Sequence, residues 1–78
     1  MRFYFDLKFD AEEPSSDEQG TDLEDVEAAQ IEAARTLCDF SRELIGRGRN
    51  PKALAVIIRD EGGPILEARL SFQLKRLN

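Results

Sequence analysis

The sequence predicts an α+β domain with the order β-α-β-β: a three-stranded, mainly antiparallel sheet of order 2-3-1, with one helix packed on one face. Three observations carry this reading. One segment repeats its apolar residues at helical spacing, three segments alternate apolar with polar residues, and turn-forming residues separate the four.

Arg2 to Asp10 comes first. Phe3, Phe5, Leu7 and Phe9 face one way, and Arg2, Tyr4, Asp6, Lys8 and Asp10 the other. That alternation, with aromatic residues on one side, marks a half-buried strand. Ala11 to Asp22 reads as a flexible acidic loop, because Pro14, Ser15, Ser16 and Gly20 break regular structure and the acids keep it solvated.

Asp25 to Ile45 reads as the helix. Val26, Ala29, Ala33, Leu37, Phe40 and Leu44 recur at steps of three and four, and Ala34, Cys38, Ser41 and Ile45 widen the stripe. Asp25 is the favoured N-cap, with Asp22 the other candidate. Gly46 or Gly48 closes the helix, and Pro51 prevents its return.

Leu54 to Arg59 is the second predicted strand, with Leu54, Val56 and Ile58 toward the helix. Asp60-Glu61-Gly62-Gly63 then folds the chain back as a hairpin of three to five loop residues. Ile65 to Arg76 alternates again, Leu66, Ala68, Leu70, Phe72 and Leu74 against Glu67, Arg69, Ser71, Gln73 and Lys75. As the longest alternating run it is expected in the middle of the sheet. The expected core centres on Phe3, Phe5, Leu37, Phe40, Leu70 and Phe72.

Seventy-eight residues make a single domain, 1–78, which buries only about 60% of its unfolded surface, so stability is modest or shared with a second subunit. The net charge of −5 is unevenly spread. Residues 1–32 carry −9 and residues 33–78 carry +4, which suits either a basic patch or two halves that complement each other. A single cysteine excludes an intramolecular disulfide. The chain shows no signal-peptide pattern and no run near the ~20 apolar residues of a membrane span, so a cytoplasmic protein without membrane contact is expected.

The chain has no His and no Trp, which removes imidazole catalysis, His-ligated metal and Ser–His or Cys–His dyads. Cys38 reads as a buried, inert thiol. Asp10, Glu12, Glu13, Asp17, Glu18 and Asp22 offer oxygen ligands but follow no calcium-loop spacing, so neither a metal nor another cofactor is expected. Arg47, Arg49 and Lys52 are the candidate anion-binding residues. They follow the C-terminal end of the helix, which favours basic side chains and disfavours a bound anion.

The chain resembles a family of short bacterial proteins that carry a domain of unknown function. The similarity lies in Tyr4-Phe5-Asp6, in Asp17-Glu18-Gln19-Gly20-Thr21-Asp22-Leu23-Glu24-Asp25, and in Ala28-Ala29 with Glu32-Ala33. Arg59-Asp60 and Leu70-Ser71-Phe72 complete it. The resemblance implies the fold and carries no activity.

The function expected is therefore a small non-enzymatic interaction module that acts through protein contacts and self-associates as a homodimer. The expected dimer edge is Leu54, Val56 and Ile58, an uncharged and β-branched stretch. The alternative is a binder of a phosphate-bearing ligand through the Arg47/Arg49/Lys52 loop, nucleic acid being disfavoured by the acidic total charge.

Overall fold

The computed structural model describes residues 1–10, 12–49 and 53–78. Four strands and one helix follow in the order β1 (Arg2–Phe9), β2 (Thr21–Asp22), α1 (Val26–Gly46), β3 (Ala53–Asp60) and β4 (Gly63–Ser71). The sheet order is β2-β1-β3-β4, every pairing antiparallel. The α+β class with one helix on one face of an antiparallel sheet is as expected; the strand order is not.

The central position belongs to β3. It pairs with β1 from Tyr4↔Arg59 to Phe9↔Leu54, and with β4 from Ala53↔Ser71 to Asp60↔Gly63. The expected order 2-3-1 placed the last strand there, and that is corrected. The cause lies in the acidic segment. At Asp10 the chain reverses with φ 52°, and the Asp10 carboxylate accepts a bond from Ala53 N at 2.7 Å. Residues 12–22 then run back along the outer edge of β1. Ser15 exchanges backbone hydrogen bonds with Leu7, and Arg2↔Asp22 and Phe3↔Thr21 form the β1–β2 pair. The helix therefore starts beside the beginning of β1 and ends beside its end, and the next strand must return antiparallel to β1. The segment expected to be a solvated loop is the return path, and it contains a short strand.

The helix forms where its caps predict. Asp25 Oδ1 accepts from Ala28 N at 2.8 Å. At the other end Gly48 takes φ +79°, Gly48 N bonds Ile45 O, and Arg49 N bonds Leu44 O, a Schellman closure. Ala29, Ala33, Leu37 and Leu44 are buried against the sheet, where the two alanines let the helix backbone come close. The sheet covers only that narrow arc. Cys38 is exposed, which corrects the expectation of a buried thiol.

The core consists of Phe3, Ala29, Ala33, Leu37, Leu44, Leu54, Val56 and Ile58, with Phe5, Leu7, Phe9, Leu23, Phe40, Leu66, Ala68 and Leu70 packed around it. Phe9 and Phe40 meet edge to face at 6.5 Å. Phe72 lies past the end of β4 and outside this cluster, contrary to expectation. The strand expected to reach Arg76 ends at Ser71, whose partner Ala53 is the first described residue of β3. A ladder needs a neighbour, and alternation alone does not supply one. The hairpin is tighter than expected, with only Glu61 and Gly62 between the Asp60↔Gly63 pair, and Gly62 N bonds Asp60 Oδ1 at 2.8 Å.

Candidate functional site

The residues that carry chemistry gather on the sheet face opposite the helix. Strand alternation puts Tyr4, Asp6 and Arg59 on that face, and the register sets Arg59 beside Tyr4 with Asp6 one step diagonal. Arg59 Nε donates to Asp6 Oδ2 at 2.6 Å, and its Nη2 donates to Asp6 Oδ1 at 3.2 Å and to the Asp17 carbonyl at 2.8 Å. The guanidinium also lies over the Tyr4 ring, 4.8 Å from its centroid.

Asp17 joins from the returning segment. Its N–H donates to Asp6 Oδ1 at 2.8 Å; its carboxylate accepts from Phe5 N at 3.1 Å, and from Gln19 N and Gly20 N at 3.2 Å each. Asp6 is only 8% exposed. The Arg59 hydrogen bonds, helped by the Asp17 N–H, outweigh burial and hold the Asp6 carboxyl below its ordinary pKa. Burial pushes the Asp17 carboxyl up, and the bonds from Phe5, Gly20 and Gln19 together reverse that and leave it lowered. The Asp6 bond raises the Arg59 pKa above its ordinary value.

Gly20 completes the cluster. It has φ +75°, and a Cβ there would stand 2.9 Å from Tyr4 Cε1 and 3.1 Å from the Phe3 carbonyl oxygen. Arg2 forks onto Asp22 at 3.1 Å through Nε and Nη2 and reaches the Gln19 carbonyl at 2.7 Å. Both Asp6 oxygens, both Asp17 carboxylate oxygens, and Arg59 Nε and Nη2 face partners within the chain. No buried side-chain polar atom among the described residues lacks a partner. The cluster is a clamp that fastens the returning segment to the edge of β1.

A family model described as Domain of unknown function (DUF6894) matches residues 2–71. The chain belongs to that family. No curated protein and no solved structure matches it. In this DUF6894 chain, three of the stretches that carry the sequence resemblance converge on the clamp: Tyr4-Phe5-Asp6, Asp17 to Asp22, and Arg59. That these stretches carry the family resemblance was the sequence signal that pointed to them. Composition and periodicity alone left Asp6 among solvated residues.

The remaining predicted sites are placed as follows. Arg47 is held by Glu43 at 2.6 Å, and Arg49 lies over the Phe9 ring at 4.7 Å. Lys52 lies outside the described residues. Leu54, Val56 and Ile58 are buried in the central strand, paired on both sides, so the expected dimer edge does not exist there. Among the described residues no three Asp, Glu or Cys side chains converge as a metal would need. A cleft of about 290 Å³ is lined by Met1, Arg2, Asp60, Glu61 and Gly62, beside an Arg2 already engaged by Asp22.

The open feature is an edge. The outer side of β1 is covered by Ser15, Asp17, Thr21 and Leu23. The outer side of β4 has no strand beside it among the described residues. Its backbone parity follows from the Asp10 N to Ala53 O bond: odd-numbered residues of β3 bond toward β1 and even-numbered ones toward β4. Leu66, Ala68 and Leu70 therefore bond inward, while the N–H and C=O groups of Glu67, Arg69 and Ser71 point outward.

Proposed function

We propose that this chain is a small non-enzymatic module that works through protein contacts, by strand addition at the outer edge of β4. The observation that carries this reading is the contrast between the two sheet edges. The chain lays residues 12–22 and a charged clamp along the outer edge of β1, yet the outer edge of β4 has no partner strand among the described residues. An unpaired edge is a template for an extended segment, whose main-chain bonds give affinity and whose alternate side chains give specificity. On the helix side, Leu66, Ala68 and Leu70 would meet apolar residues of the added strand; on the other, Glu67 and Arg69 would meet polar ones.

A photo-crosslinking side chain at Ser71, in the full chain expressed in its source cell, should give protein adducts. The same group at Arg35, on the outer side of the helix, should give few. Adducts from Arg35 alone, or from neither position, overturn the reading. Anion binding at Arg47, Arg49 and Lys52 is the weaker alternative, since Glu43 and Phe9 already occupy the two arginines.

A further inference from the structure

We infer that the strand added at β4 comes from a second copy of this chain, and that its tail, residues 72–76, pairs with the partner's β4 about a two-fold axis at Leu70. This rests on the edge-binding reading above. Two features left open within one molecule complete each other between two. The first is the β4 edge. The second is the tail, which continues the β4 alternation through Phe72 and Leu74 with no strand beside it among the described residues; Phe72 is half-buried and Leu74 is 72% exposed.

Backbone parity limits how two such edges can meet. In an antiparallel two-fold pair outward residues face outward residues, so Glu67, Arg69, Ser71 and, in an extended tail, Gln73 must match one another. An axis at Glu67 or Arg69 sets that residue against its own copy, like charge on like charge. An axis at Ala68 brings Glu67 to the partner's Arg69 but sets Phe72 opposite the partner's Pro64 and runs the tail from Leu74 onward past the end of β4. An axis at Ser71 sets Leu66 opposite the partner's Arg76.

An axis at Leu70 has none of these faults. Arg69 meets the partner's Ser71, and Glu67 the partner's Gln73. On the helix side Leu70 meets its own copy, Phe72 the partner's Ala68, and Leu74 the partner's Leu66. The largest side chain lies opposite the smallest, and one apolar stripe crosses the joint. The result is a continuous eight-stranded sheet with both helices on one face.

Sedimentation equilibrium of the purified full chain should show a concentration-dependent dimer. Gln73→Pro removes an outward N–H from each tail without touching any strand of the monomer, and should weaken the dimer about tenfold or more. In a Cys38→Ser background, Leu70→Cys should form an intermolecular disulfide under mild oxidation faster than Ala68→Cys or Ser71→Cys, because residues facing across such an axis lie about 4.5 Å apart. A monomer at high micromolar concentration, a dimer untouched by Gln73→Pro, or faster crosslinking at position 68 or 71 overturns the inference. A monomer whose Ser71 position crosslinks a different protein overturns self-association and leaves the edge-binding reading standing. Absence of both removes both.

Discussion

Asp6 and Arg59 lie 53 residues apart in the chain and meet diagonally across β1 and β3, Arg59 Nε 2.6 Å from Asp6 Oδ2. The pair holds more than the two strands. Its free valences take the N–H and C=O of Asp17, so the same contact ties the returning segment to the sheet. An acid from the negative first half is neutralised by an arginine from the positive second half, which favours complementation of the halves over a basic patch.

Acid should loosen this clamp first. The Asp6 and Asp17 carboxyls both have folded pKa values below their ordinary ones. The unfolded chain therefore binds their protons more readily than the folded one. Their contribution is present above about pH 4 and lost as pH falls through the lower folded values. Urea midpoints at neutral pH and near pH 3 should differ, and Asp6→Asn with Asp17→Asn should flatten that dependence. An unchanged slope would show that the clamp adds nothing to stability. At neutral pH, Asp6→Asn alone should cost about 1–3 kcal/mol.

Two glycines with similar backbone should respond differently. Gly20 and Gly48 have φ +75° and +79°, but a Cβ at Gly20 meets Tyr4 and the Phe3 carbonyl while one at Gly48 meets nothing within 4 Å among the described residues. Gly48→Ala should cost about 1 kcal/mol, for the left-handed conformation alone. Gly20→Ala should cost more, about 2–3 kcal/mol, since backbone as well as side chain stands in the way. Equal losses by chemical denaturation would mean that the returning segment shifts freely away from β1.

Among the phenylalanines, burial sets the rank. Phe3→Ala should lose about 3–5 kcal/mol, because Phe3 is fully buried beside the central strand. Phe72→Ala should leave the melting temperature of dilute protein near native and act instead on association. A large loss of monomer stability from Phe72→Ala would place that ring back in the core.

Cys38 should react with a thiol reagent in the folded protein at nearly its rate in denaturant, since the sheet does not cover that side of the helix. Strong protection in dilute solution would require the helix to be rolled toward Cys38.

The elements themselves were legible locally. Helix ends follow from Asp25 and Gly48, strand faces from the alternation of Phe3, Phe5, Leu7 and Phe9, and the hairpin from Asp60 to Gly63, because caps, pleats and turns are settled by neighbours a few residues apart. The covered arc of the helix follows the predicted stripe through Ala29, Ala33, Leu37 and Leu44; its width was not legible, since Cys38 borders that stripe and stays exposed. Strand order and edges were decided by the tertiary structure alone. The acids of residues 12–22 look solvated in a list of residues. The reversal at Asp10 lays them on the edge of β1, where Asp17 finds Phe5 N and Arg59 finds Asp6. That one placement makes β3 central, buries Leu54, Val56 and Ile58, and leaves β4 open. Hydrogen bonds between residues 42 to 53 positions apart depend on where the backbone has gone, and no local periodicity encodes that.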